Sequence, residues 1–535
     1  MVTAGGALRA GTPGTSVIPL DSEVPASISV TPVAERWDGR GFMPLLVRIE
    51  NRGPRPLAWK LTFASGIGFG GDSLTHEVGM RVDGEERIET VIYVPGTGAL
   101  DSGQRATINV RAEGPGAERA HSYMLHGNND AVVNTATIPD LEAALFTATH
   151  GAPGITTEIT AVEPERWPAD WRVWAPFQRV VLTEKEFAAL DGARQGALRD
   201  WVSMGGVLDL YPATSRQHEK VESRGLGVIR QRARSLSDEA SDAKLEANLP
   251  GSRVVDLYRV RAPEVPAERR QSLEPKRGTL GVALFLVAFG VVVGPLNLFV
   301  FAPAGRRHRL FLTMPAISLA ASLLLAGYIV VQDGFGGEGA LTGTVCLLPD
   351  SNQAVVTQTQ IARTGVMAGT EFELADDIVL ERKGQNSSAW PHRAGGRAEH
   401  YRRSQGYAGG DWFASRRVQE HVLRRLAPTR ARIELVDGGG GDAAPVVQSS
   451  VGSVLRDFQY ADEKGIVWGV DELPPGKKVT LARRPSPFLG AAHSGFFSAR
   501  GGAAEGLTPI STLGSIRWDE PEFLFVGPLV GARKP

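Results

Sequence analysis

Two long apolar runs, Leu280–Phe301 and Leu310–Val331, stand almost back to back near the middle of the chain, and neither contains a charged residue. Each reaches the roughly 20 residues that a helix needs to cross the hydrocarbon core of a bilayer. Amphipathic helices of soluble domains carry a polar stripe, and these runs carry none. The Leu, Val and Phe residues of the first run each favour insertion by about 0.3–0.6 kcal/mol, or roughly 5–9 kcal/mol together. Gly290, Gly294, Pro295 and Asn297 subtract from that sum. The expectation is a transmembrane helical hairpin, residues 280–331, that separates two large polar regions.

The first run is interrupted at Gly294-Pro295-Leu296-Asn297. Proline removes a backbone donor and kinks a helix. In lipid the freed carbonyl needs a partner, which the Asn297 side chain is placed to supply. Gly294, Pro295 and Asn297 are therefore read as a helix-packing kink, and Pro315 of the second run is treated the same way. Ser318, Ala320, Ala321 and Gly327 are small enough to allow close contact with the helices of membrane-protein partners.

The connecting turn, Ala302–Arg309, carries Arg306, Arg307, His308 and Arg309. A basic turn points to the cytoplasmic face, with both polar regions on the other side. Arg269, Arg270, Lys276 and Arg277 precede the first run and argue the opposite way, while Gln332–Val345 has no Lys or Arg. Met1–Leu20 has no apolar core of a signal segment, which export of a long N-terminal region requires. Charge counting alone leaves the orientation open.

The formal net charge is −1, so no global field draws the chain to nucleic acid. Cys346 is the sole cysteine, which excludes a disulfide within the chain and any cysteine-based metal cluster. The 535 residues hold 63 Gly and 34 Pro, and strand-like alternation recurs among them. Both features predict β-rich outer regions. The expected fold class is multidomain α/β plus all-β around the transmembrane hairpin. A disordered N-terminus over 1–25 precedes an immunoglobulin-like β-sandwich over 26–125, built from runs such as Leu45–Glu50, Leu57–Phe63 and Arg87–Val94 with turns at Asn51–Pro54 and Asp83-Gly84.

Over 126–275 the pattern becomes α/β. Asp140 is placed to cap a helix at Leu141–Thr149, and strands are expected at Glu158–Val162, Arg179–Leu182, Val207–Tyr211 and Gly225–Ile229. A helix is expected over Leu190–Met204, ended by Gly205-Gly206. Strand–helix–strand units of this length predict a flavodoxin-like or amidotransferase-like parallel sheet. The region 340–535 reads as a C-terminal β-sandwich containing one helix at Phe413–Leu426, with a flexible tip at Gly438–Gly441.

Several short motifs recur in a telling order: Trp167-Pro168-Ala169-Asp170-Trp171, Trp201–Leu208, Gly225-Leu226-Gly227, Gly294–Asn297 with its Arg-rich turn, Gly410-Asp411-Trp412 and Leu473-Pro474-Pro475-Gly476. In that order the chain resembles a set of bacterial membrane proteins of unknown function. In those, a sandwich, a domain like class I glutamine amidotransferases, a two-helix anchor and further β structure follow one another. The resemblance implies large domains outside the cytoplasm on a bacterial inner (cytoplasmic) membrane, and it implies no established activity.

Amidotransferases need a cysteine on a strained elbow between strand and helix, with a histidine beyond it. Here Val207–Tyr211 runs into Pro212-Ala213-Thr214-Ser215 without a cysteine. Cys346 lies in an apolar β run and reads as a small core residue. Ser215 and His218 would need a carboxylate and an oxyanion hole to act together. Without those, Ser215 is a cap and His218 faces solvent. Asp140, Asp170 and Asp209 belong to the same region, with nothing to bring them together. No phosphate-binding glycine loop appears, and the histidines have no metal-ligand spacing. Neither a catalytic residue, a metal site nor a cofactor is expected.

The segment His392–Arg432 is the most charge-biased. Arg402, Arg403, Trp412, Arg416 and Arg417 are its candidate binding residues for an anionic envelope ligand, because guanidinium forks grip phosphate or carboxylate beside stacking aromatics. The plainer reading is a solvated helix face with surface ion pairs. Taken together, the sequence reads as a non-enzymatic binding or assembly subunit of an envelope complex, able to stand beside a transporter, whose partners are the lipid bilayer and other membrane proteins. The alternative is an envelope hydrolase or transferase that uses Ser215 and His218, or carboxylates of the α/β region.

Overall fold

The computed structural model describes residues 15–531 apart from 35–36, 38, 40, 68–72, 97–105, 118–119, 125–134, 138–158, 162–166, 178, 236–237, 239–263, 274–278, 303–304, 368, 383–399, 414, 416, 438–443, 463–464, 485–495, 505–506 and 508–513. The fold is mixed α/β, with strands gathered into several sheets and two long apolar helices. The helix expected at Leu141–Thr149 and the glycine tip at Gly438–Gly441 lie outside the described residues.

The first eight strands are β1 (Ser16–Ile18), β2 (Ala26–Pro32), β3 (Phe42–Asn51), β4 (Leu57–Ile67), β5 (Ser73–Val82), β6 (Arg87–Pro95), β7 (Ala106–Glu113) and β8 (Ala120–Met124). One antiparallel sheet runs β1-β2-β3-β6, and a second contains β5-β4-β7-β8. They share a core. Ile28, Val30, Val47 and Ile49 from the first meet Trp59, Leu61, Phe63, Ile108 and Val110 from the second. Full burial of such side chains contributes about 1.5–3 kcal/mol each. Asn51 pins the turns, donating to the Arg55 carbonyl at 2.8 Å and the Asp83 carbonyl at 3.0 Å while accepting from the Gly53 amide at 3.0 Å. Two strands depart from expectation. β1 falls within the segment expected to be disordered, and it pairs Ser16 to Val30 through Ile18 to Ile28. β5 is not among the expected strands: Leu74, Val78, Met80 and Val82 alternate along it, but His76 interrupts the apolar series.

The next strands are β9 (Thr135–Thr137), β10 (Ile159–Ala161), β11 (Arg179–Thr183), β12 (Val207–Tyr211), β13 (Lys220–Arg224) and β14 (Gly227–Gln231). They run in the order β10-β9-β11-β12-β14-β13, parallel except for the edge strand β13. Helices α1 (Glu184–Ala189) and α2 (Gly192–Ser203) connect β11 to β12. A capping box at Thr183 and Glu186 starts α1, and the Asp191 carboxylate accepts from the Arg194 amide at the start of α2. α2 lays Leu198, Trp201 and Val202 on the sheet. A Cβ at Gly227 would collide with the carbonyl oxygens of Val202 and Gly206, so only glycine lets β14 approach the end of α2 this closely.

After α3 (Ala267–Ser272) comes the hairpin. Its first arm is α4 (Thr279–Val291), which passes directly into a π-helical segment, Val292–Phe301. Its second arm is α5 (Leu310–Asp333), about 36 Å long at 1.5 Å per residue. The apolar side chains of both arms face outward: Val287 is 66% exposed, Phe299 74% and Phe311 88%. Both arms are long and apolar enough to span a membrane. Gly334, at φ 72°, ends α5.

The chain then enters β15 (Gly337–Leu348), β16 (Gln353–Thr364), β17 (Phe372–Glu373), β18 (Val379–Arg382), β19 (His400–Ser404), β20 (Tyr407–Gly410) and β21 (Val418–Pro428). β18, β21, β16 and β15 form one half of a ten-stranded sheet. Glu522–Pro528, Phe496–Gly501, Leu455–Ala461 and Val467–Leu473 continue it. The helix expected at Phe413–Leu426 is instead a short 3-10 turn at Asp411–Phe413 followed by β21. β21 is an inner strand buried on both faces, so its polar side chains lie inside and a period of two is invisible in its sequence.

A smaller sheet of Ile433–Asp437, Val446–Ser449, Lys478–Thr480 and Val530–Gly531 packs Ile433 and Val447 against Val345, Val356 and Phe458 of the ten-stranded sheet, but the C-terminal region does not stand apart. β17, β20 and β19 extend the second sheet of the N-terminal region, in the order β17-β20-β19-β5-β4-β7-β8. β19 lies parallel to β5, with His400 opposite Ser73 and Ser404 opposite Glu77. Segments on either side of the apolar hairpin therefore share one hydrogen-bonded sheet. One continuous apolar cluster also joins the N-terminal strands, the parallel sheet and Cys346, Leu348, Val355, Val379 and Leu426.

Candidate functional site: the seam and the hairpin

The seam where the three polar regions meet is built on Arg172. Asp170 opens a 3-10 turn at Trp171–Trp174, accepting from the Arg172 amide at 2.9 Å and pairing with its guanidinium at 2.7 Å. The same guanidinium lies 4.1 Å from the centre of the Tyr93 ring and donates to the Asp376 carbonyl at 3.3 Å. One arginine thus touches all three regions. Trp171 meets Phe42 edge-on at 5.8 Å. Burial, reinforced by the Asp170 charge, pushes the Tyr93 phenol up.

Arg403 faces the seam from β19. It is 3% exposed, donates to the carbonyls of Ala375 at 2.7 Å and Ile378 at 2.9 Å, and lies 5.7 Å over the Phe42 ring. Burial brings its guanidinium down to about 10. His76 stands opposite Phe63 on β5, with Nδ1 buried and unbonded. Burial, with Arg403 and Arg172 nearby, pushes its imidazole down to about 4. His421 is enclosed by Trp412 and Phe413, and burial takes it down to about 3.

These positions settle where the candidate anion-binding residues lie. Arg403 and Trp412 are interior, Trp412 being 2% exposed and 4.4 Å from the Tyr401 ring centre. Arg402 is at the surface, paired with Glu371. The Arg417 amide donates to Thr364 Oγ1 at 3.0 Å. Arg416 lies outside the described residues. The structure does not gather these residues into one exposed patch. The expected surface ion pairs on a helix face are corrected too, because Arg424 is 3% exposed on a strand. The motif Trp167–Trp171 enters only as part of a resemblance, and no expectation of this seam comes from the sequence; His76, Arg172 and Asp376 had no local signal of their own.

In the parallel sheet, Asp209 is fully buried and paired with Arg179 on the neighbouring strand. Asp170 is committed to Arg172, so the two carboxylates do separate work, and Asp140 lies outside the described residues. Ser215 donates to Asp238 and accepts from the Ser235 amide at 2.7 Å. His218 does not bond to it. Among the described residues no group of three or more His, Cys, Asp or Glu side chains converges as a metal site. Cys346 is buried in the core, and burial pushes its thiol up to about 11.

The hairpin solves its proline problem by winding. Around Pro295 the helix loosens to π geometry, which accommodates the missing donor. Asn297 does not satisfy the freed carbonyl: its side chain is buried, and neither polar atom has a partner. Its backbone carbonyl instead accepts from the Ala302 amide at 2.9 Å, closing the arm. At Gly294 an added Cβ would meet nothing within 4 Å, so that side of the arm is open. At the far end Arg306, Arg307, His308 and Arg309 are all exposed.

No protein-family model matches the chain, and no curated protein does. Among solved structures, a cycloisomaltooligosaccharide glucanotransferase from Paenibacillus sp. is 8% identical over 35% of this chain and 38% of its own, with a TM-score of 0.17. This chain therefore spans little more than a third of that enzyme's length. The yeast delta-COP-I mu-homology domain is 8% identical over 36% of this chain and 95% of its own, at 0.18. A beta-glucuronidase of Parabacteroides merdae is 10% identical over 91% and 77%, at 0.17. Likenesses this slight carry no argument about function.

Proposed function

We propose that this chain is a membrane-anchored, non-catalytic binding or assembly subunit of a bacterial envelope complex. In this reading the apolar hairpin enters the inner membrane and returns to the side it came from. An immunoglobulin-like sandwich, a silent amidotransferase-like sheet and a C-terminal β region form one outward-facing platform beside membrane-protein partners such as a transporter. The observation that carries the reading is the parallel pairing of β5 with β19. Strands cannot pair through a bilayer, so residues before and after the hairpin belong on one face. The basic turn at its tip favours the cytoplasmic face for that end.

The non-catalytic part rests on how the candidate groups are occupied. Asp170 and Asp209 each hold an arginine, and Ser215 bonds to a carboxylate with no histidine to take its proton. The recurring motifs also do structural work: Gly227 makes close approach possible, Gly410 and Gly476 take φ of 94° and 73°, and Asp170 caps a turn. Alkaline carbonate washing of membranes, followed by a fluorophosphonate probe, tests both halves. The full chain should stay in the pellet and Ser215 should remain unlabelled. Release into the wash contradicts the anchor, and labelling at Ser215 contradicts silence.

A further inference from the structure

Many of the described arginines of the polar regions pair with an acid. Arg48 pairs with Glu89 at 2.7 Å, Arg172 with Asp170 at 2.7 Å, Arg425 with Asp377 at 3.2 Å and Arg517 with Glu338 at 2.6 Å. The hairpin tip differs in gathering three arginines within four positions of an acid-free segment. Arg306, Arg307 and Arg309 are exposed, and among the described residues none has an acidic partner. No Asp or Glu occurs anywhere from Pro275 to Gln332. The acid nearest in sequence after the tip, Asp333, stands at the far end of α5, about 36 Å away along the helix. The cations open α5, the helix end where positive charge is disfavoured. An external anion at that depth compensates for both.

We propose that Arg306, Arg307 and Arg309 form a binding site for the phosphate groups of anionic phospholipids in the leaflet opposite the platform. The proposal rests on the membrane reading above and adds a lipid class to it. Guanidinium forks match phosphate oxygens, and the apolar arms hold these three at headgroup level. His308, in the same turn, adds a further donor. The site sets how deep the hairpin sits and ties the platform to membrane regions rich in acidic lipid.

The test uses the full chain reconstituted in phosphatidylcholine vesicles containing traces of spin-labelled lipid. The fraction of label immobilised by the protein is compared for phosphatidylglycerol and phosphatidylcholine. The acidic lipid should be preferred about fivefold or more, corresponding to one headgroup contact of about 1 kcal/mol. The preference should fall to near one in R306Q/R307Q/R309Q and be only partly kept in R306K/R307K/R309K, which retains the charge without the fork. It should decline alike in chloride and in inorganic phosphate of equal ionic strength. Inserted protein with no preference, or a triple variant that keeps it, overturns the proposal. Selective displacement by inorganic phosphate assigns the site to the free anion and overturns it too. If the wild-type chain does not enter vesicles at all, the membrane reading itself fails.

Discussion

At position 76 an imidazole lies against Arg403 and Arg172, with Asp376 and Glu77 as the acids that face it. Its folded value of about 4 lies below the ordinary value of about 6.5, so the folded chain holds it neutral while the unfolded chain protonates it sooner. The stability this contributes is complete above about pH 6.5 and is lost as pH falls toward 4. At pH 5 the loss is on the order of 2 kcal/mol. Urea unfolding at pH 7 and pH 5 should show at least that drop, since the buried His421 adds to it in the same direction, and His76→Gln should reduce it by on the order of 2 kcal/mol. An equal drop in the variant refutes the assignment. A second prediction contrasts two glycines. Gly227→Ala drives a Cβ into two carbonyl oxygens and should lower stability by about 3 kcal/mol or prevent folding. Gly192→Ala, with nothing within 4 Å at the start of α2, should be neutral or slightly stabilising in the same thermal melts. At this scale the sequence was partly readable: Cys346 is the core residue it was expected to be, but Arg403 is not at the surface. Nothing local distinguishes an arginine that solvates itself from one that a fold encloses and satisfies with two carbonyls.

Elements were readable where one face is dry and the other wet. β3, β4 and β6 fall where alternation placed strands. β21 was not, because burial on both faces hides its period, and the charges of Arg424 and Arg425 suggested a solvated helix. The hairpin arms were the plainest elements in the chain, since uninterrupted apolarity has few other uses. A charge at the middle of an arm separates a membrane helix from an exposed soluble one. Leu323, 66% exposed on α5, is suitable. Leu323→Arg should disfavour insertion by about 3 kcal/mol and lower the carbonate-resistant fraction markedly. In a soluble helix the same exposed substitution changes stability little, so unaltered retention would count against a lipid-facing arm.

The whole molecule was the least readable scale. β5 and β19 are joined by backbone hydrogen bonds across more than 300 residues that include the hairpin, and no pattern in either strand names the other. That pairing joins the N- and C-terminal regions, and the contacts of Arg172 add the parallel sheet to them. Sided labelling of single cysteines by a membrane-impermeant maleimide tests this most directly, and the buried Cys346 should stay silent. Arg81→Cys reports the N-terminal region, Tyr407→Cys the C-terminal region and His308→Cys the tip, all three from exposed positions. In sealed membranes of one orientation, positions 81 and 407 should label together, and position 308 should label only once the membrane is opened or its orientation reversed. Positions 81 and 407 labelling from opposite faces, or position 308 labelling alongside them, would contradict a returning hairpin beneath a single platform.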